Sequence, residues 1–472
     1  MPPQASTIKR SIIYQNDEQT VTLLDIPASI SEAQSASTHS IGEIIYSCEP
    51  LEEPFDDNEP KSTTARKQID LQSVDSNLHS IYASLINDAL AETRSEHRGI
   101  WCLPRGWSFA RSGTGRKRKA DVVGGQEVVD NYAENSPHSN TTRPSKVIDD
   151  LGSNEIMVLD SMLADLAHGD KESVLSPDIL MSDSAPGSIA IEDAGPGEIA
   201  RLPSSKTWDN VFHNALDQQL DVELSLQSQE ANSSSSRFRF HIPGKSTFML
   251  GNCANASAFR ESVRYMSQEY DTCRTFDFIL LDPPWPNRSV KRSRTYITER
   301  DMRGVKQMLF RMDVDSYMAP GSIVGVWITN KSTVRDLVLG KGGLFEAWNV
   351  SPKEEWLWTK TTTKGEPVTS LQGLWRKPYE VLLLGQRPSD PFQVARPSDG
   401  FEDVKRRVII AVPDLHSRKP CLKKLIEPMM RDPASYCALE IFARYLVAGW
   451  WSWGDEVLKF NWEGYWGSED RG

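Results

Sequence analysis

The tetrapeptide Asp282-Pro283-Pro284-Trp285 places a carboxylate, two rigid residues and a flat aromatic ring directly after the mostly apolar run Phe276–Leu281. Prolines lack an N–H donor and fix φ, so this pair ends a β-ladder and holds the Asp282 carboxylate and the Pro283 carbonyl in one geometry. In doubly wound sheets, ligands bind beyond the carboxyl ends of the strands. The motif is therefore predicted to lie at the ligand-binding edge of a sheet.

These groups suit methylation of an exocyclic aromatic amine such as N6 of adenine, and we take the four residues of the motif as the candidate catalytic set. The lone pair of that nitrogen is delocalised into the ring, which makes it a poor nucleophile. Hydrogen-bond acceptors on its N–H groups favour a pyramidal nitrogen and stabilise the developing positive charge. Asp282 and the Pro283 carbonyl are the candidate acceptors, and Trp285 is the candidate stacking platform for an unstacked base. A surface turn with a packed Trp285 is the structural alternative, which the motif alone leaves open.

A basic segment with an aromatic end leaves the motif. Lys291 and Arg292 can bind phosphate groups, and Asn287 and Tyr296 can contact a target nucleotide. A flexible surface loop is the alternative, but the position directly after the motif favours contact with nucleic acid. We therefore predict that these four residues bind the substrate.

The charge of the chain is divided unevenly between its two halves. The 472 residues carry a net charge of −12. Residues 1–236 hold 18 Lys and Arg against 37 Asp and Glu, whereas residues 237–472 hold 35 against 28, which gives net charges of −19 and +7. A basic folded half suits a polyanionic partner, because phosphate contacts supply much of the affinity for nucleic acid. Ordinary scatter of charge explains an excess of this size equally well.

Cysteine usage and hydropathy exclude several classes of protein. The six cysteines are scattered, with no Cys-x-x-Cys pair and no histidine at metal-ligand spacing beside them, so we expect neither a disulfide framework nor a metal site. No run approaches about 18 consecutive apolar residues, and residues 1–14 lack the apolar core of a signal peptide. The expectation is a soluble intracellular protein without membrane contact.

The basic run 111–119 lies within the acidic half and contains the sequence Gly-Arg-Lys-Arg-Lys. Such a run is typical of a nuclear localisation signal, and a solvated charge cluster is the alternative. We therefore expect a nuclear protein, with a cytoplasmic pool left open.

Residues 1–236 are predicted to be mostly disordered. Ser, Asp, Glu, Asn, Pro and Gly dominate long stretches there, which cannot bury enough apolar surface to offset the entropy of ordering. Two islands differ: residues 79–109 combine an amphipathic helical pattern with an aromatic strip, and residues 205–226 show a second helical pattern. The predicted division is a disordered acidic region, 1–236, followed by a folded domain, 237–472.

The second half alternates short apolar, β-branched and aromatic runs with helical stretches. Fully apolar runs such as 278–281 and 381–384 suit strands buried on both faces, which is typical of an α/β fold with a largely parallel sheet. The predicted strands are 238–242, 247–250, 276–281, 323–328, 355–358, 380–384, 408–412, 439–442 and 457–460, and the predicted helices are 256–270, 299–312, 331–339 and 421–430.

Three blocks of this half resemble the adenine-N6 methyltransferase family that contains the messenger-RNA m6A writer. They are Asp282-Pro-Pro-Trp-Pro-Asn-Arg-Ser-Val-Lys-Arg-Ser293, Leu415-His-Ser-Arg-Lys-Pro420, and Leu439-Glu-Ile-Phe-Ala-Arg444 followed by Gly449-Trp-Trp-Ser-Trp-Gly-Asp-Glu-Val457. Within the family, the methyltransferase-like protein 4 branch is the most similar. The resemblance covers residues 245–460 and implies a Rossmann-like methyltransferase fold that uses S-adenosylmethionine.

The resemblance also implies which residues contact that cofactor. Lys419 matches the position that pairs with the methionine carboxylate, and Arg444 matches the position that reaches the ribose. Glu440 would hold a ribose hydroxyl or orient Arg444, with a structural ion pair as the alternative. The full implied set is Asn252, Cys253, Asp282, Lys419, Glu440, Arg444, Asp455 and Glu456.

Two departures from the family pattern affect this set. The family often has Asn where this chain has Asp455, which loses an amide donor and adds a charge. Tyr445-Leu446-Val447 replaces polar cofactor contacts of the messenger-RNA writer. The second departure fits the methyltransferase-like protein 4 branch and leaves the ribose contacts open.

The function predicted from these observations is S-adenosylmethionine-dependent N6-methylation of adenine in nucleic acid, with RNA favoured. The branch resemblance implies 2′-O-methyladenosine in U2 small nuclear RNA as the substrate. N6-methylation of DNA adenine is the alternative within the same class, since no motif reports on the ribose 2′ position. A catalytically inactive nucleic-acid-binding partner subunit is the alternative from another class, and the retention of Asp282, Lys419 and Arg444 disfavours it. Whether a protein partner is needed stays open.

Overall fold

The computed structural model describes the chain in separate ranges. These are residues 11–35, 43–55, 75–106, 159–160, 162–164, 178–181, 211–226, 236–286, 302–373, 377–390, 392–395, 404–415 and 418–468. The basic run 111–119 and the predicted substrate contacts Asn287, Lys291, Arg292 and Tyr296 lie outside the described residues.

The strands are β1 (Ile12–Gln15), β2 (Val21–Leu24), β3 (Glu43–Ile45), β4 (Asp178–Met181), β5 (Val211–His213), β6 (Leu220–Leu226), β7 (Ser236–Ile242), β8 (Thr247–Leu250), β9 (Phe276–Leu281), β10 (Met318–Ile328), β11 (Ser351–Lys360), β12 (Tyr379–Gln386), β13 (Lys405–Ala411), β14 (Ala438–Ile441), β15 (Trp451–Gly454) and β16 (Trp466–Ser468). The helices are α1 (Ile26–Glu32), α2 (Ser76–Glu96), α3 (Ala256–Glu269), α4 (Met302–Arg311), α5 (Ser332–Leu339), α6 (Leu344–Ala347) and α7 (Lys423–Ile426).

The longer helices begin where the sequence supplies caps. The Asp75 side chain accepts hydrogen bonds from the backbone N–H groups of Asn77 and Leu78 at the start of α2, and Asn255 accepts one from Ala258 at the start of α3. None of the described helices combines the length and the apolar character that crossing a bilayer requires.

Eleven strands form one mixed sheet in the order β1-β2-β13-β11-β12-β10-β9-β14-β15-β8-β5. Antiparallel pairing in it is confined to β12 and to the two outermost strands, and the run β10-β9-β14-β15-β8 is parallel throughout. In β9, Phe278 and Leu280 pack on one face of the sheet, while Ile279 and Leu281 pack on the other. The predicted Rossmann-like α/β fold with a largely parallel sheet is confirmed.

Part of the predicted acidic N-terminal region belongs to this sheet. β1 and β2 extend it on one side, and β5 ends it on the other. α2, the helix predicted within 79–109, covers the sheet with Ile86 and Leu90, which are 0% and 1% exposed. The sheet therefore crosses residue 236, because these N-terminal elements supply apolar surface to the same core. The division at residue 236 stays a prediction for the remainder of that region.

The helix predicted over 205–226 is wrong for the described residues 211–226. They form β5 and β6, and β6 pairs antiparallel with β7. Leu220, Val222, Leu224 and Leu226 alternate with polar residues, a period of two that suits a strand. Pairing with β7 satisfies the backbone of this segment and selects the strand over the helix.

Two predictions near the C-terminal end are also corrected. Residues 457–460, predicted as a strand, form a turn that enters the 3₁₀ helix Lys459–Asn461, and the strand of this region is the Trp-rich β15 instead. The helix predicted over 421–430 is interrupted after α7, where a 3₁₀ turn contains Pro428, which has no N–H to continue the helical hydrogen bonds.

Candidate active site

The carboxyl ends of the parallel strands bring charged side chains to one edge of the sheet. Asp282 follows β9, and Glu380 lies near the start of β12, which runs in the opposite direction and therefore begins at the same edge. Nζ of Lys419 lies 3.4 Å from Asp282 Oδ2 and 2.8 Å from Glu380 Oε2. Three charged groups from distant segments thus meet where ligands bind in doubly wound sheets.

Glu380 is at the centre of this charge cluster. Its Oε1 lies 2.6 Å from Nζ of Lys360 at the end of β11, so one carboxylate bridges two lysines. Burial alone would raise the pKa of Glu380, but the ammonium groups of Lys360 and Lys419 outweigh burial and lower the pKa. Burial would likewise lower the pKa of Lys419, and the carboxylates of Asp282 and Glu380 raise it. Glu380 and Lys419 are therefore both charged at neutral pH.

Tryptophan side chains form the wall beside Lys419. Its ammonium nitrogen lies 5.1 Å from the ring centroid of Trp327 and 5.9 Å from that of Trp358, within the range of cation–π attraction. The indole N–H of Trp285 donates a 2.7 Å hydrogen bond to the backbone carbonyl of Trp327, and Trp285 is 6% exposed. The ring of Trp285 is therefore held in one orientation.

The Asp-Pro-Pro-Trp segment forms a tight turn. The backbone N–H of Trp285 donates a 2.8 Å hydrogen bond to the carbonyl of Pro283, and Nζ of Lys331 donates at 2.8 Å to the carbonyl of Pro286. A carbonyl oxygen has two lone pairs, so Pro283 keeps acceptor capacity after this bond. The side chain of Asp282 is 26% exposed. The turn thus carries acceptor oxygens of two consecutive residues on a rigid backbone, with the carboxylate accessible.

Glu440 lies on β14, the strand that pairs with β9, and is 8% exposed. Burial and then the charge of Asp282 raise the pKa of Glu440 to about 8, although the ammonium of Lys419 opposes the shift. Below that pH the side chain is mostly a neutral carboxylic acid, which can donate a hydrogen bond as well as accept one.

Arg418 anchors the segment that carries Lys419. Its Nη1 donates to the carbonyl of Tyr46 at 2.7 Å and lies 3.0 Å from Asp414 Oδ2, and its guanidinium carbon lies 4.2 Å from the ring centroid of Phe460. Arg418 and Asp414 are both fully buried. Because Tyr46 belongs to the N-terminal half, that half contributes to the placement of the active-site lysine.

A second polar cluster follows β14 and β15. Nε of Arg444 lies 2.9 Å from Glu456 Oε2. The backbone beneath this pair is tightly packed: Phe442 has a left-handed φ of 64°, and a Cβ on Gly454 would lie 2.7 Å from the carbonyl oxygen of Ala443. Glycine at 454 therefore allows the loops after the two strands to lie against each other.

Asn252 and Cys253 follow β8, the next strand along the same edge. The side-chain oxygen of Asn252 accepts a 2.8 Å hydrogen bond from the backbone N–H of Ala254, and Sγ of Cys253 donates at 3.8 Å to the carbonyl of Trp453. Burial, followed by the nearby charge of Asp455, raises the pKa of the Cys253 thiol. A buried thiol of raised pKa is inert, so Cys253 is part of the wall of the site and not a nucleophile.

Comparison with known proteins identifies the family behind this geometry. Residues 276–456, which run from β9 to the loop after β15, match the MT-A70 family. Residues 276–456 form an MT-A70 domain. The predicted resemblance to the adenine-N6 methyltransferases of the m6A writer is thereby confirmed, and the relatives below bear out the predicted branch.

The chain matches several curated relatives of the MT-A70 domain. The N6-methyladenosine RNA methyltransferase MTA1 of Cryphonectria parasitica is 45% identical over 192 residues, which are 40% of this chain and 54% of that protein. The N(6)-adenine-specific methyltransferase METTL4 of Mus musculus is 34% identical over 251 residues, 51% of this chain and 49% of that protein. The DNA N6-methyl methyltransferase of Caenorhabditis elegans is 27% identical over 274 residues, 57% of this chain and 67% of that protein. The chain thus spans about half the length of the first two relatives.

The predicted residues of the MT-A70 domain fall into neighbouring groups along one edge. Asp282, Lys419 and Glu440 form the first, and Arg444 with Glu456 forms the second. The carboxylates of Asp282 and Glu380 raise the pKa of Lys419 and the charge of Arg444 opposes this rise, so the two groups are electrostatically coupled. Glu456 pairs with Arg444 at 2.9 Å, and the role of Glu440, a ribose contact or the orientation of Arg444, stays a prediction. Asn252, Cys253 and Asp455 lie at the ends of β8 and β15, beside the second group.

Glu380 and Lys360 are residues of the MT-A70 site that were not predicted as catalytic or cofactor contacts. The sequence shows only that each is a charged residue at or next to the end of a predicted strand. Placing them beside Asp282 also requires the strand order, in which β12 lies between β10 and β11. That order depends on pairing between distant segments, which the local sequence does not encode.

Proposed function

We propose that this chain is an S-adenosylmethionine-dependent methyltransferase that transfers a methyl group to N6 of adenine in nucleic acid. The observation that carries the proposal is the position of Asp282, whose carboxylate stands at the end of a buried strand, on a proline-fixed turn, 3.4 Å from Lys419. The relatives named as N6-adenine methyltransferases support the same chemistry.

The donor and acceptor set along the edge fits S-adenosylmethionine. This molecule carries a carboxylate and an ammonium at one end, a sulfonium in the middle, and a ribose and an adenine at the other end. Lys419 would hold the carboxylate, Arg444 and Glu456 would hold the ribose hydroxyls, and Asn252 would lie on the adenine side. When bound, the cofactor supplies an electrophilic methyl group.

Asp282 and the Pro283 carbonyl act on the target amine. Both oxygens accept hydrogen bonds from N6, which localises its lone pair and stabilises the positive charge that develops as it is methylated. The Asp282 carboxylate is also placed to accept the proton that the methylated nitrogen releases. Trp285, fixed through Trp327, forms an aromatic wall for the extruded base.

Glu440 and Lys419 set the charge around this acceptor. Lys419 balances part of the negative charge of Asp282 at 3.4 Å. Glu440, with a pKa raised to about 8, adds no second full charge beside Asp282 at neutral pH. The arriving positive charge of the cofactor favours ionisation of Glu440, so this carboxyl group adjusts to ligand binding.

RNA is the substrate class that we propose, with 2′-O-methyladenosine of U2 small nuclear RNA as the specific target. The RNA methyltransferase of Cryphonectria parasitica is 45% identical over the matched region, against 27% for the DNA methyltransferase of Caenorhabditis elegans. The small nuclear RNA target rests on the branch resemblance. DNA adenine is the second candidate, because a relative named for it matches over 57% of this chain.

A nuclear location is part of the proposal, since the basic run 111–119 is typical of a nuclear localisation signal. An inactive binding subunit is the competing interpretation. The site disfavours it, because the carboxylate of Asp282, the ammonium of Lys419 and the fixed ring of Trp285 are all in place.

The test is methyl transfer from labelled S-adenosylmethionine by the wild-type chain and the Asp282→Ala variant. The substrates are matched oligonucleotides that carry deoxyadenosine, adenosine or 2′-O-methyladenosine, and nucleoside mass spectrometry locates the methyl group. We expect N6-methylation of the 2′-O-methylated RNA, lost in Asp282→Ala while cofactor binding persists. Preference for deoxyadenosine would move the proposal to DNA, and cofactor binding without transfer to any substrate would favour a missing partner. Absence of cofactor binding would contradict it.

A further inference from the structure

A short segment of the acidic N-terminal region reaches the core of the catalytic fold. Residues 159–160 and 162–164 are helical, and Leu159, Met162 and Leu163 are 0%, 2% and 0% exposed. They belong to the same apolar cluster as Val457 and Leu458, which follow the cofactor-site loop after β15. The segment is therefore anchored in the core on the side of the sheet that also holds these two residues.

Asp160 continues the charge pattern of the second polar cluster. Its Oδ1 lies 2.9 Å from Nζ of Lys459, which lies 2.9 Å from Glu456 Oε1. The other oxygen of Glu456 lies 2.9 Å from Nε of Arg444. Four side chains of alternating charge thus run from the N-terminal segment to the arginine at the end of β14.

The position of Glu456 between two cations explains how Asp160 affects Arg444. Two cations, Arg444 and Lys459, share the single carboxylate of Glu456. The side chains of the row are between 16% and 29% exposed, so solvent screens their interactions only in part. Burial would lower the pKa of Lys459, but the charges of Glu456 and Asp160 raise it, so Lys459 is fully charged. Because Asp160 also neutralises Lys459, a larger part of the negative charge of Glu456 acts on Arg444.

We propose that Asp160 is a positioning residue of the cofactor site, an inference that rests on the proposed function. By pairing with Lys459, Asp160 lets Glu456 hold Arg444 in the orientation that reaches the ribose of S-adenosylmethionine. It acts through these side chains and touches neither the cofactor nor the nucleic acid. The acidic N-terminal region therefore contributes to cofactor affinity from a distance.

The test is calorimetric titration of the full chain with S-adenosylmethionine and with S-adenosylhomocysteine. Asp160→Asn keeps the shape of the side chain and removes its charge, and we expect affinity to fall about threefold to tenfold. The KM for S-adenosylmethionine should rise by a similar factor, while kcat at saturation and the KM for the nucleic acid stay unchanged. Asp160→Glu should restore most of the affinity. In the Lys459→Met background, Asp160→Asn should have no further effect.

Asp221→Asn is the matched control, because Asp221 on β6 is 34% exposed and pairs at 2.8 Å with His241 on β7, outside the row of four charges. Its cofactor affinity should equal that of the wild type, and the Tm of each variant is recorded. If the wild type binds S-adenosylmethionine and Asp160→Asn binds it with the same affinity, the inference is wrong and the proposed function stands. The inference is also wrong if Asp160→Asn and Asp221→Asn lose cofactor affinity equally and both have a lower Tm. A wild-type chain that binds neither ligand would overturn the proposed function, and the inference with it.

Discussion

The carboxylate of Glu380 lies 2.8 Å from the ammonium of Lys419, although 39 positions of sequence separate the two residues. Glu380 also pairs with Lys360 at 2.6 Å, and Lys419 reaches Asp282 at 3.4 Å. Lys419 therefore pairs both with Glu380, which holds it in place, and with Asp282, the proposed catalytic acceptor. This double pairing governs how much of the Asp282 charge Lys419 neutralises.

Glu380→Gln should reduce kcat about tenfold to hundredfold, because loss of the 2.8 Å ion pair lets Lys419 move toward Asp282 and misplaces the acceptor. The KM for S-adenosylmethionine should change less than kcat. Steady-state kinetics with the methylated-RNA oligonucleotide measure both. Glu427→Gln is the control, since Glu427 is 29% exposed, against 31% for Glu380, and pairs with Lys423 outside the site. Equal kcat values in all three proteins would remove Glu380 from the site.

Lys419→Met should weaken S-adenosylmethionine binding by about tenfold to hundredfold. A charged hydrogen bond to the cofactor carboxylate contributes about 1.5–3 kcal/mol, and the thioether cannot replace it. Isothermal titration calorimetry provides the affinity. The corresponding change at Lys423, which donates to the Ala448 carbonyl at 3.0 Å, should leave affinity unchanged. An affinity for Lys419→Met equal to that of the wild type would contradict the assignment of Lys419.

Glu440 should make stability depend on pH between about 4.5 and 8. Its pKa is raised from 4.5 to about 8 in the folded chain, first by burial and then by Asp282. The contribution of Glu440 is therefore fully present below about 4.5, declines as pH rises, and is lost above about 8, with a slope of at most about 1.4 kcal/mol per pH unit.

Glu440→Gln stays neutral at every pH and so should not show this decline. Urea unfolding of both proteins at pH 5, 6, 7 and 8 compares their free energies of unfolding. The difference between variant and wild type should move in favour of the variant as pH rises. A constant difference over this range would show that the pKa of Glu440 is not raised.

Tyr82→Phe should lower the free energy of unfolding by about 1–3 kcal/mol. The Tyr82 hydroxyl donates at 3.0 Å to the fully buried carboxylate of Glu355 and accepts at 3.1 Å from Arg335, so it fastens α2 to β11. Phenylalanine leaves Glu355 with fewer donors in a buried position. Urea unfolding monitored by circular dichroism gives the change. Tyr265→Phe, at a position 53% exposed, should be nearly neutral, and similar effects of the two substitutions would argue against docking through Tyr82.

Local sequence patterns were sufficient for the central strands and for the motif between them. The mostly apolar run Phe276–Leu281, followed by Asp282 and two prolines, indicates a buried strand that ends before the prolines, because apolar composition and the loss of N–H donors are local properties. The resemblance added Lys419 and Arg444, which the structure places at the same edge.

The same patterns failed where a distant partner decides the conformation. The sequence of residues 220–226 is compatible with a helix and with a strand, and pairing with β7 selects the strand. The acidic composition of residues 1–236 predicts disorder on average, yet Leu23, Ile86 and Leu163 are buried in the core. Composition averages over a region, whereas docking depends on a few apolar side chains in the right places.

By itself, the sequence predicted the candidate catalytic motif, because a carboxylate, two prolines and a tryptophan after a buried strand are local properties, and the resemblance of three blocks then indicated the reaction class. The tertiary structure alone decided which charges surround that carboxylate. The strand order β11-β12-β10-β9 brings Glu380 and Lys360 to Lys419, and core packing brings Asp160 to Lys459, which pairs with Glu456. Ion pairs act over a few ångströms in space, so their partners are set by strand pairing and core packing and not by position along the chain.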